Sequence, residues 1–338
     1  MKDIIEEYSS SPDPIVRFKT LTKVLRRPLN DSEAERARTE IRNSPLVSTL
    51  LSEVTEEGTI PHHPYKKWTG SHWVLTLLAD LDYPPGDKNL IPLREQVHDW
   101  LFSPDHLRNM KRFFIKGKYR ICASQEGNAV YAMTRLGLAN EKTAELVKKL
   151  VATQWPDGGW NCDKNPEAKI SSFHETVTPL RGLIHYYAAT MDEDARMAIS
   201  KATQPFLKRR MFKRISDGRP IHPAFTLLHY PSYWYYDILY GLKVMAEGEL
   251  AKKPELKEGI DLLESKRLSD GGFPAEGKNY QLRDPEKSQH SLIDWGGASK
   301  RVSNVFVSLD SLFVLAQAGR NLDPRGQTSG DHDISMGT

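Results

Sequence analysis

The sequence predicts an all-α fold of stacked helical hairpins, and two observations carry this prediction. The first is a turn of Asp, Gly and an aromatic residue, clearest in residues 154–160 and repeated at 270–273. Fainter copies lie at 217–220 and 57–59. The second is the alternation of apolar and charged helical segments around these turns. A turn that returns along the chain indicates one structural unit used several times.

Five segments combine apolar residues at three-to-four spacing with few charges, so we expect them to be buried helices. They cover residues 73–81, 129–138, 177–184, 238–245 and 306–315. More charged amphipathic segments predict outer helices with one wet face. They cover residues 93–101, 141–154, 194–208 and 256–266. The unit is an outer helix, a turn, a loop and an inner helix, with a period of about 50 to 65 residues.

The repeat predicts one large domain over residues 1–322, although 338 residues exceed the usual size of a single domain. Within it, residues 1–55 form an N-terminal helical part that supplies a sixth helix pair. A hairpin cannot bury its apolar side alone, so successive hairpins must stack into a solenoid or a ring. Residues 323–338 have no apolar pattern and predict a flexible tail.

Composition restricts the partners and the compartment. The totals of 47 basic and 44 acidic residues nearly balance, so no global field favours nucleic acid, and we expect no nucleic-acid partner. The basic run at 206–214 is predicted to be a solvated helix end. The alternative is that it contacts an anionic membrane surface. Only two cysteines are present, the first residues resemble no signal peptide, and no apolar run approaches the roughly 18 residues of a membrane span. We expect a cytoplasmic protein.

The run Gln-Trp-Pro-Asp-Gly-Gly-Trp at 154–160 resembles the QW motif of squalene and hopene cyclases. Residues 154–183 as a whole resemble the repeat that those enzymes share with protein prenyltransferase β-subunits. The resemblance implies an α/α toroid: five or six hairpins closed into a double ring around a central cavity, with loops crowding one mouth. In such a repeat Gln154 would hydrogen-bond across the turn and Trp160 would pack over the next hairpin.

Polar residues near the N-terminal ends of the inner helices would converge on that mouth, and we expect the site among them. Candidate catalytic residues are Glu126, Glu175, Asp237, His174 and His229. Candidate substrate-binding residues are His72, Trp73, Gln125, Tyr230, Tyr233, Trp234, Tyr236 and Asn304. For each, the alternative is a helix cap or a satisfied core group, and Ser172 with Glu175 fits a capping box. Residues 61–65, Pro-His-His-Pro-Tyr, are expected to form a loop over a cavity mouth.

The resemblance favours acid-initiated chemistry on a small, apolar isoprenoid, without a cofactor. A buried carboxylic acid would supply the proton, and aromatic faces would stabilise cationic intermediates. The chain departs from the family in lacking the Asp-X-Asp-Asp motif of alkene-protonating cyclases and the Asp-Asp-X-X-Asp motif that binds diphosphate. It is also about half as long as a cyclase with two toroids, so a single toroid would have to use another acid.

Three alternatives stay open. Cys162, Asp163 and His174 share one loop and resemble in type, though not in order, the zinc site of protein prenyltransferases, so zinc or another divalent metal could assist a transfer or a hydrolysis. Glu126 and Asp237 could act as a carboxylate pair on a carbohydrate. The repeat could also serve as a non-catalytic binding scaffold. Nothing in the sequence indicates the oligomeric state.

Overall fold

The computed structural model describes residues 4–323, and over this part of the chain the protein is an all-α α/α toroid, as the sequence predicts. Six helices form the inner ring. They are α2 (Pro14–Lys19, continued by a π-helical turn Thr20–Val24), α5 (Ser71–Asp80), α8 (Ala123–Arg135), α10 (Phe173–Thr190), α12 (Ile238–Glu247) and α14 (Val305–Gln317).

Six further helices lie outside this ring. They are α1 (Ile4–Ser9), α3 (Ser32–Ile41), α6 (Ile91–Leu101), α9 (Glu141–Thr153), α11 (Glu193–Lys208) and α13 (Lys257–Glu264). Two short helices, α4 (Pro45–Leu50) and α7 (Pro104–Arg112), and one antiparallel hairpin of β1 (Phe114–Ile115) and β2 (Lys118–Tyr119) lie in the connections. The apolar segments predicted as inner helices are buried almost throughout.

Contacts between successive inner helices close the ring. Helix α5 packs on α8, α8 on α10, α10 on α12 and α12 on α14, and α14 returns to α2 and its π-helical turn. Lys19 and Lys23 then pair with Asp82 at the end of α5, at 3.9 and 3.8 Å. Arg26 donates a hydrogen bond to the carbonyl of Ala316, which ties the start of the chain to its last described helix. The ring is therefore closed by the N-terminal pair of helices.

The recurring turn has one backbone pattern. Trp155 N–H donates to the carbonyl of Gly159 at 2.8 Å, and Gly158 N–H returns to the carbonyl of Trp155 at 2.9 Å. The turns at 55–59 and 268–272 repeat both bonds, and the turn at 214–219 repeats them with one extra residue. The donor glycine has a positive φ in each case, which glycine adopts without strain. The faint copies in the sequence are therefore true copies of the turn.

Gln154 and Trp160 hold adjacent hairpins together. Gln154 Nε2 donates to the carbonyl of Gly158 across the turn, at 2.7 Å, and to that of Ala198 in α11, at 2.9 Å. Trp160 is fully buried, and its Nε1 donates to the carbonyl of Leu150 in α9. The expected hydrogen bond of Gln154 across the turn is confirmed, while this bond of Trp160 is to the helix before the turn and not to the next hairpin.

The toroid axis is filled by charged side chains, which differs from the central apolar cavity that the resemblance implies. Every inner helix contributes to this axial ionic core: Lys19, Lys23, Asp80, Asp82, Arg135, Arg181, His185, Lys243, Glu247 and Asp310. Two cavities of about 20 Å³ each remain there, which is space for one water apiece. The inner helices are apolar overall, but their few charges converge on the axis, where ion pairs occupy the space that a substrate would need.

Among residues 4–323, no helix combines the length and the apolar character that crossing a membrane requires. The flexible tail predicted at 323–338 lies, except for Asp323, outside the described residues.

Candidate active site at the mouth of the toroid

A pocket of about 590 Å³ opens at the N-terminal end of α8, on one side of the ring. The loop at 61–65, helices α6 and α7, the β-hairpin and the loop after Trp160 surround it. Its apolar wall consists of Tyr65, Trp100, Met110, Phe113 and Ile121. Its polar wall consists of His63, His106, Asn109, Arg120, Cys122, Gln125, Glu126, Cys162 and Lys164. This volume is typical of a small-molecule site.

Glu126 is the buried acid of this pocket. It lies in the first turn of α8 with 1% of its surface exposed, and His106 Nε2 lies 2.9 Å from its Oε1. Its Oε2 is buried and has no hydrogen-bond partner among the described residues. Ser103 caps α7 by accepting from His106 N–H, which fixes the backbone that carries the imidazole. One carboxylate oxygen is thus oriented by His106, and the other is buried without a hydrogen-bond partner among the described residues.

Aromatic rings form part of the pocket wall. Tyr65 and Trp100 lie with their ring centroids 5.2 Å apart, and Gln125 hydrogen-bonds the Tyr65 hydroxyl. His72 lies behind these two rings, 1% exposed, and neither ring nitrogen has a partner among residues 4–323. Burial lowers the pKa of His72 to about 3, so this imidazole is neutral. It supports the aromatic wall and does not itself line the pocket.

Cys122, Cys162 and Glu175 meet at one edge of the pocket. Their sulfur and carboxylate atoms all lie within 4.8 Å of one another. Glu175 is buried in the first turn of α10, and its Oε2 accepts from the N–H of Ser124 at 2.9 Å. This bond turns Glu175 towards α8, and Ser172 makes no side-chain cap bond, so the predicted capping box is absent.

Burial and hydrogen bonding shift the titration of this group. Burial raises the pKa of Glu175, against the lowering effect of the Ser124 hydrogen bonds. The pKa of the Cys162 thiol is also raised, first by its hydrogen bond with Cys122 and then by burial. Glu175 and Cys162 therefore hold their protons to a higher pH than a free carboxyl and a free thiol do.

The predicted alternative metal ligands are not brought together. Asp163 is exposed, and its carboxylate accepts from the N–H of Asn165. His174 Nδ1 accepts from Tyr236 N–H at 2.8 Å, and burial lowers its pKa to about 4. The reason is that Cys162 turns towards α8 while His174 turns towards the loop before α12. Within residues 4–323, the one group with metal-ligand geometry is Cys122, Cys162 and Glu175.

Asp237 and His229 form a second pair away from this pocket. Asp237 caps α12 by accepting from Tyr240 N–H at 2.8 Å, and its Oδ2 accepts from His229 N–H and lies 2.9 Å from His229 Nδ1. Burial acts to lower the pKa of His229, but Asp237 outweighs it and raises that pKa. Neither residue lines the mouth pocket. Asp237 thus acts as the N-cap of α12, and its contact fixes the orientation of the His229 ring.

Most of the predicted substrate-binding residues pack in the core. Tyr233 stacks on Trp68 at 3.8 Å, the Tyr230 hydroxyl donates to Asp80 at 3.1 Å, and Asn304 caps α14. Three other predicted residues pack against aromatic rings, as Tyr233 does: Trp73, Trp234 and Tyr236. All of these side chains except the half-buried Trp234 are buried. Of the predicted catalytic and substrate-binding residues, Gln125 and Glu126 line the pocket, and so does the predicted alternative metal ligand Cys162.

Several pocket residues have no counterpart among the candidates from the sequence. His106 is on α7, an extra helix between an outer helix and the next inner one, so a search at inner-helix starts does not reach it. Trp100 lies near the end of outer helix α6. Tyr65 belongs to the loop expected over a cavity mouth, and that expectation is confirmed. Cys122 directly precedes α8. The feature of the sequence that could have identified it as a site residue is its thiol.

No protein-family model and no curated protein matches the chain. Among solved structures, it is similar to a mutant of unsaturated glucuronyl hydrolase from Streptococcus agalactiae, with 14% identity, a TM-score of 0.38, and 90% of this chain and 78% of that one covered. A protein from Actinoplanes has 15% identity, a TM-score of 0.39 and coverages of 90% and 88%.

A type II terpene cyclase from Scytonema, in complex with geranylgeranyl dihydroxybenzoate, has 14% identity and a TM-score of 0.27, with coverages of 80% and 95%. Identities and TM-scores this low carry no inference about substrate or activity, which must come from the pocket itself.

Proposed function

We propose that the protein is an enzyme that binds a small molecule in the mouth pocket and transforms it by general acid–base catalysis. Glu126 is the proton-transferring group and His106 is its partner. The observation that carries this proposal is the pair itself: a buried carboxylate with one oxygen held 2.9 Å from an imidazole and the other without a partner, in a pocket of about 590 Å³.

The chemistry follows from this arrangement. A carboxyl group and an imidazole in contact can share a proton, and one of them can deliver it to a substrate while the other restores the starting state. Such a group contributes about 10²–10⁴-fold to a rate when it is within reach of the reacting atom. The Oε2 of Glu126 is buried and has no hydrogen-bond partner among the described residues, so no structural hydrogen bond occupies it.

The walls indicate the kind of substrate. Tyr65, Trp100 and Phe113 offer aromatic faces that suit a sugar ring as well as a short isoprenoid chain. Gln125 and Asn109 add amide groups for a polar part. The substrate we propose has both an apolar face and a polar reacting centre.

An isoprenoid substrate of Glu126 would bind in this same pocket and not on the toroid axis. The axial cavities, at about 20 Å³ each, cannot hold a prenyl chain. The expectation of acid-initiated isoprenoid chemistry thus becomes a narrower hypothesis, in which Glu126 is the acid and only a short chain fits. Hydrolysis or elimination on a carbohydrate uses the same pair and the same aromatic walls.

The test is a substrate panel of aryl glycosides, unsaturated uronides, aryl esters and short prenyl diphosphates, assayed with the wild type and Glu126→Gln. We expect one class to be turned over, with a loss of about 100-fold or more in Glu126→Gln. Glu145→Gln, an exposed change on α9, is the matched control and should retain full activity. Equal rates in Glu126→Gln and the wild type on an accepted substrate would refute the proposal.

A further inference from the structure

The only two cysteines of the chain meet at one edge of the mouth pocket, next to a buried carboxylate. Cys122 directly precedes α8, Cys162 follows the turn that contains Trp160, and Glu175 lies in the first turn of α10. Three separate segments thus deliver one donor atom each to a space less than 4.8 Å across.

In the part of the chain that the structure describes, no cationic side chain contacts the carboxyl group of this cluster. Glu175 accepts from Ser124 and hydrogen-bonds Cys162, and among residues 4–323 no Lys, Arg or His forms an ion pair with it. Burying an ionised carboxylate without a counter-charge is costly, so a buried acid is normally paired or bound to a metal. Other buried acids, such as Asp80, Asp82 and Asp310, each have a Lys or Arg side chain in contact. Glu175 differs from them in facing two thiols.

We propose that Cys122, Cys162 and Glu175 bind one divalent transition-metal ion, with zinc as the expected occupant. Thiolate sulfur with a single carboxylate oxygen is a donor set that suits zinc, whereas calcium and magnesium require oxygen ligands. Zn–S bonds of about 2.3 Å in a tetrahedron place two sulfurs about 3.8 Å apart. The sulfur–sulfur separation, which is within 4.8 Å, therefore needs to shorten by about 1 Å at most.

Three protein ligands leave a four-coordinate ion one open position, which is the arrangement of catalytic rather than structural zinc. Cys122 and Cys162 both line the mouth pocket, so the open position would face the cavity that holds Glu126 and His106. The ion would act on a substrate atom or a water there as a Lewis acid. The metal site does not depend on the proposed function, because binding can be measured without any substrate.

The first measurement is zinc content by plasma mass spectrometry on the full chain, purified under reducing conditions without a metal-affinity tag. We expect about one zinc per chain, or the uptake of one after incubation with zinc. The second is cobalt substitution of the wild-type protein, which should give tetrahedral visible bands and a thiolate-to-cobalt charge-transfer band. Because it uses the unmutated chain, it does not depend on whether variants fold.

The variants Cys122→Ser, Cys162→Ser and Glu175→Gln should each lower zinc affinity by about 10-fold or more. Asp163→Asn is the control, since Asp163 is an exposed acid next to Cys162 and outside the cluster. Glu126→Gln should keep its zinc whatever it does to activity. This separates failure of the metal site from failure of the acid–base proposal. Circular dichroism verifies folding of each variant.

Two results would overturn the metal site. One is that the reduced wild-type chain binds neither zinc nor cobalt at stoichiometric concentration. The same conclusion holds if the chain is purified with a Cys122–Cys162 disulfide and takes up no metal after that disulfide is reduced. The other is full zinc retention in both folded cysteine variants.

Discussion

Arg181 Nη2 lies 2.8 Å from Asp80 Oδ1, although the helices that carry them, α10 and α5, are separated in the ring by α8. Asp80 Oδ1 also lies 2.8 Å from Lys243 Nζ on α12, and Lys243 in turn pairs with Asp310 on α14. The axial ionic core thus connects inner helices that do not pack side by side. Burial alone would keep Asp80 protonated, but Lys243 and Arg181 outweigh it and hold its pKa well below the usual range.

Replacing Asp80 with Asn should destabilise the fold strongly. The change leaves the Lys243 and Arg181 cations buried with one counter-charge fewer, and removing one partner of a buried ion pair costs about 3–5 kcal/mol. Urea unfolding followed by circular dichroism measures this loss. The control is Glu193→Gln, which removes an exposed partner of Arg196 on α11 and should change stability by about 0.5 kcal/mol or less. Similar unfolding midpoints for the two variants would contradict a structural role for the axial ionic core.

Acid should weaken the fold through Asp82. Burial opposes ionisation of this carboxyl, but Lys23, Arg135 and Lys19 together lower its pKa from 3.8 to about 2. A depressed carboxyl pKa stabilises the folded state above the unfolded value, and this stabilisation disappears as the pH falls from about 4 to about 2. The contribution is about 2 kcal/mol at neutral pH.

The measurement is the unfolding free energy of the wild type and Asp82→Asn between about pH 6 and about pH 3. The wild type should lose more stability than the variant over this interval. Parallel pH profiles would show that the carboxyl of Asp82 is not held ionised by its cationic neighbours.

Local patterns in the sequence were sufficient for the helices and the repeat, whereas closure of the ring was implied only by the family resemblance. Helix periodicity placed the inner and outer helices, and the Gly-containing turn predicted repeats whose backbone hydrogen bonds are the same at 55–59, 155–159 and 268–272. These features depend on interactions between residues close in the chain, which a single sequence contains.

The site was predicted only in part because it depends on where loops and side chains turn. Asp80, Arg181 and Lys243 are isolated charges within apolar helices, and their convergence on the axis follows only once the ring is closed. His106 reaches Glu126 from a helix that interrupts the repeat. Glu175 fits a capping box in sequence, yet Ser124 on another helix competes successfully for its carboxylate. Long-range contacts of this kind leave no periodic signal.

The pair of His229 and Asp237 should make stability fall in mildly alkaline solution. The contact with Asp237 raises the pKa of His229 above its ordinary value of 6.5, against the effect of burial. A raised histidine pKa gives stability that is fully present below the unfolded value and is lost as the pH rises through the folded one. The unfolding free energy of the wild type should therefore decrease between about pH 6 and about pH 9, and His229→Gln should reduce this decrease. If the unfolding free energy of the variant decreased by the same amount, the pH dependence would come from other titratable groups.

Gly127 and Gly182 should tolerate no side chain, since they bring α8 and α10 into backbone contact. A Cβ on Gly127 would lie 2.4 Å from Pro179 N, and one on Gly182 would lie 2.5 Å from the carbonyl oxygen of Gly127. Backbone cannot move aside as a side chain can, so either change to Ala should destabilise the fold by about 1–3 kcal/mol or more.

The matched control is Gly259→Ala on α13, where the nearest atom to a new Cβ is the Ile238 Cδ1 methyl at 3.1 Å. A methyl group at the end of a side chain can shift, and alanine favours a helix over glycine by about 1 kcal/mol, so this variant should be as stable as the wild type or slightly more stable. Thermal unfolding of the three variants distinguishes the two outcomes. Because Gly127 follows Glu126, separating α8 from α10 should also displace the pocket acid, and Gly127→Ala should lose activity on any accepted substrate while Gly259→Ala keeps it.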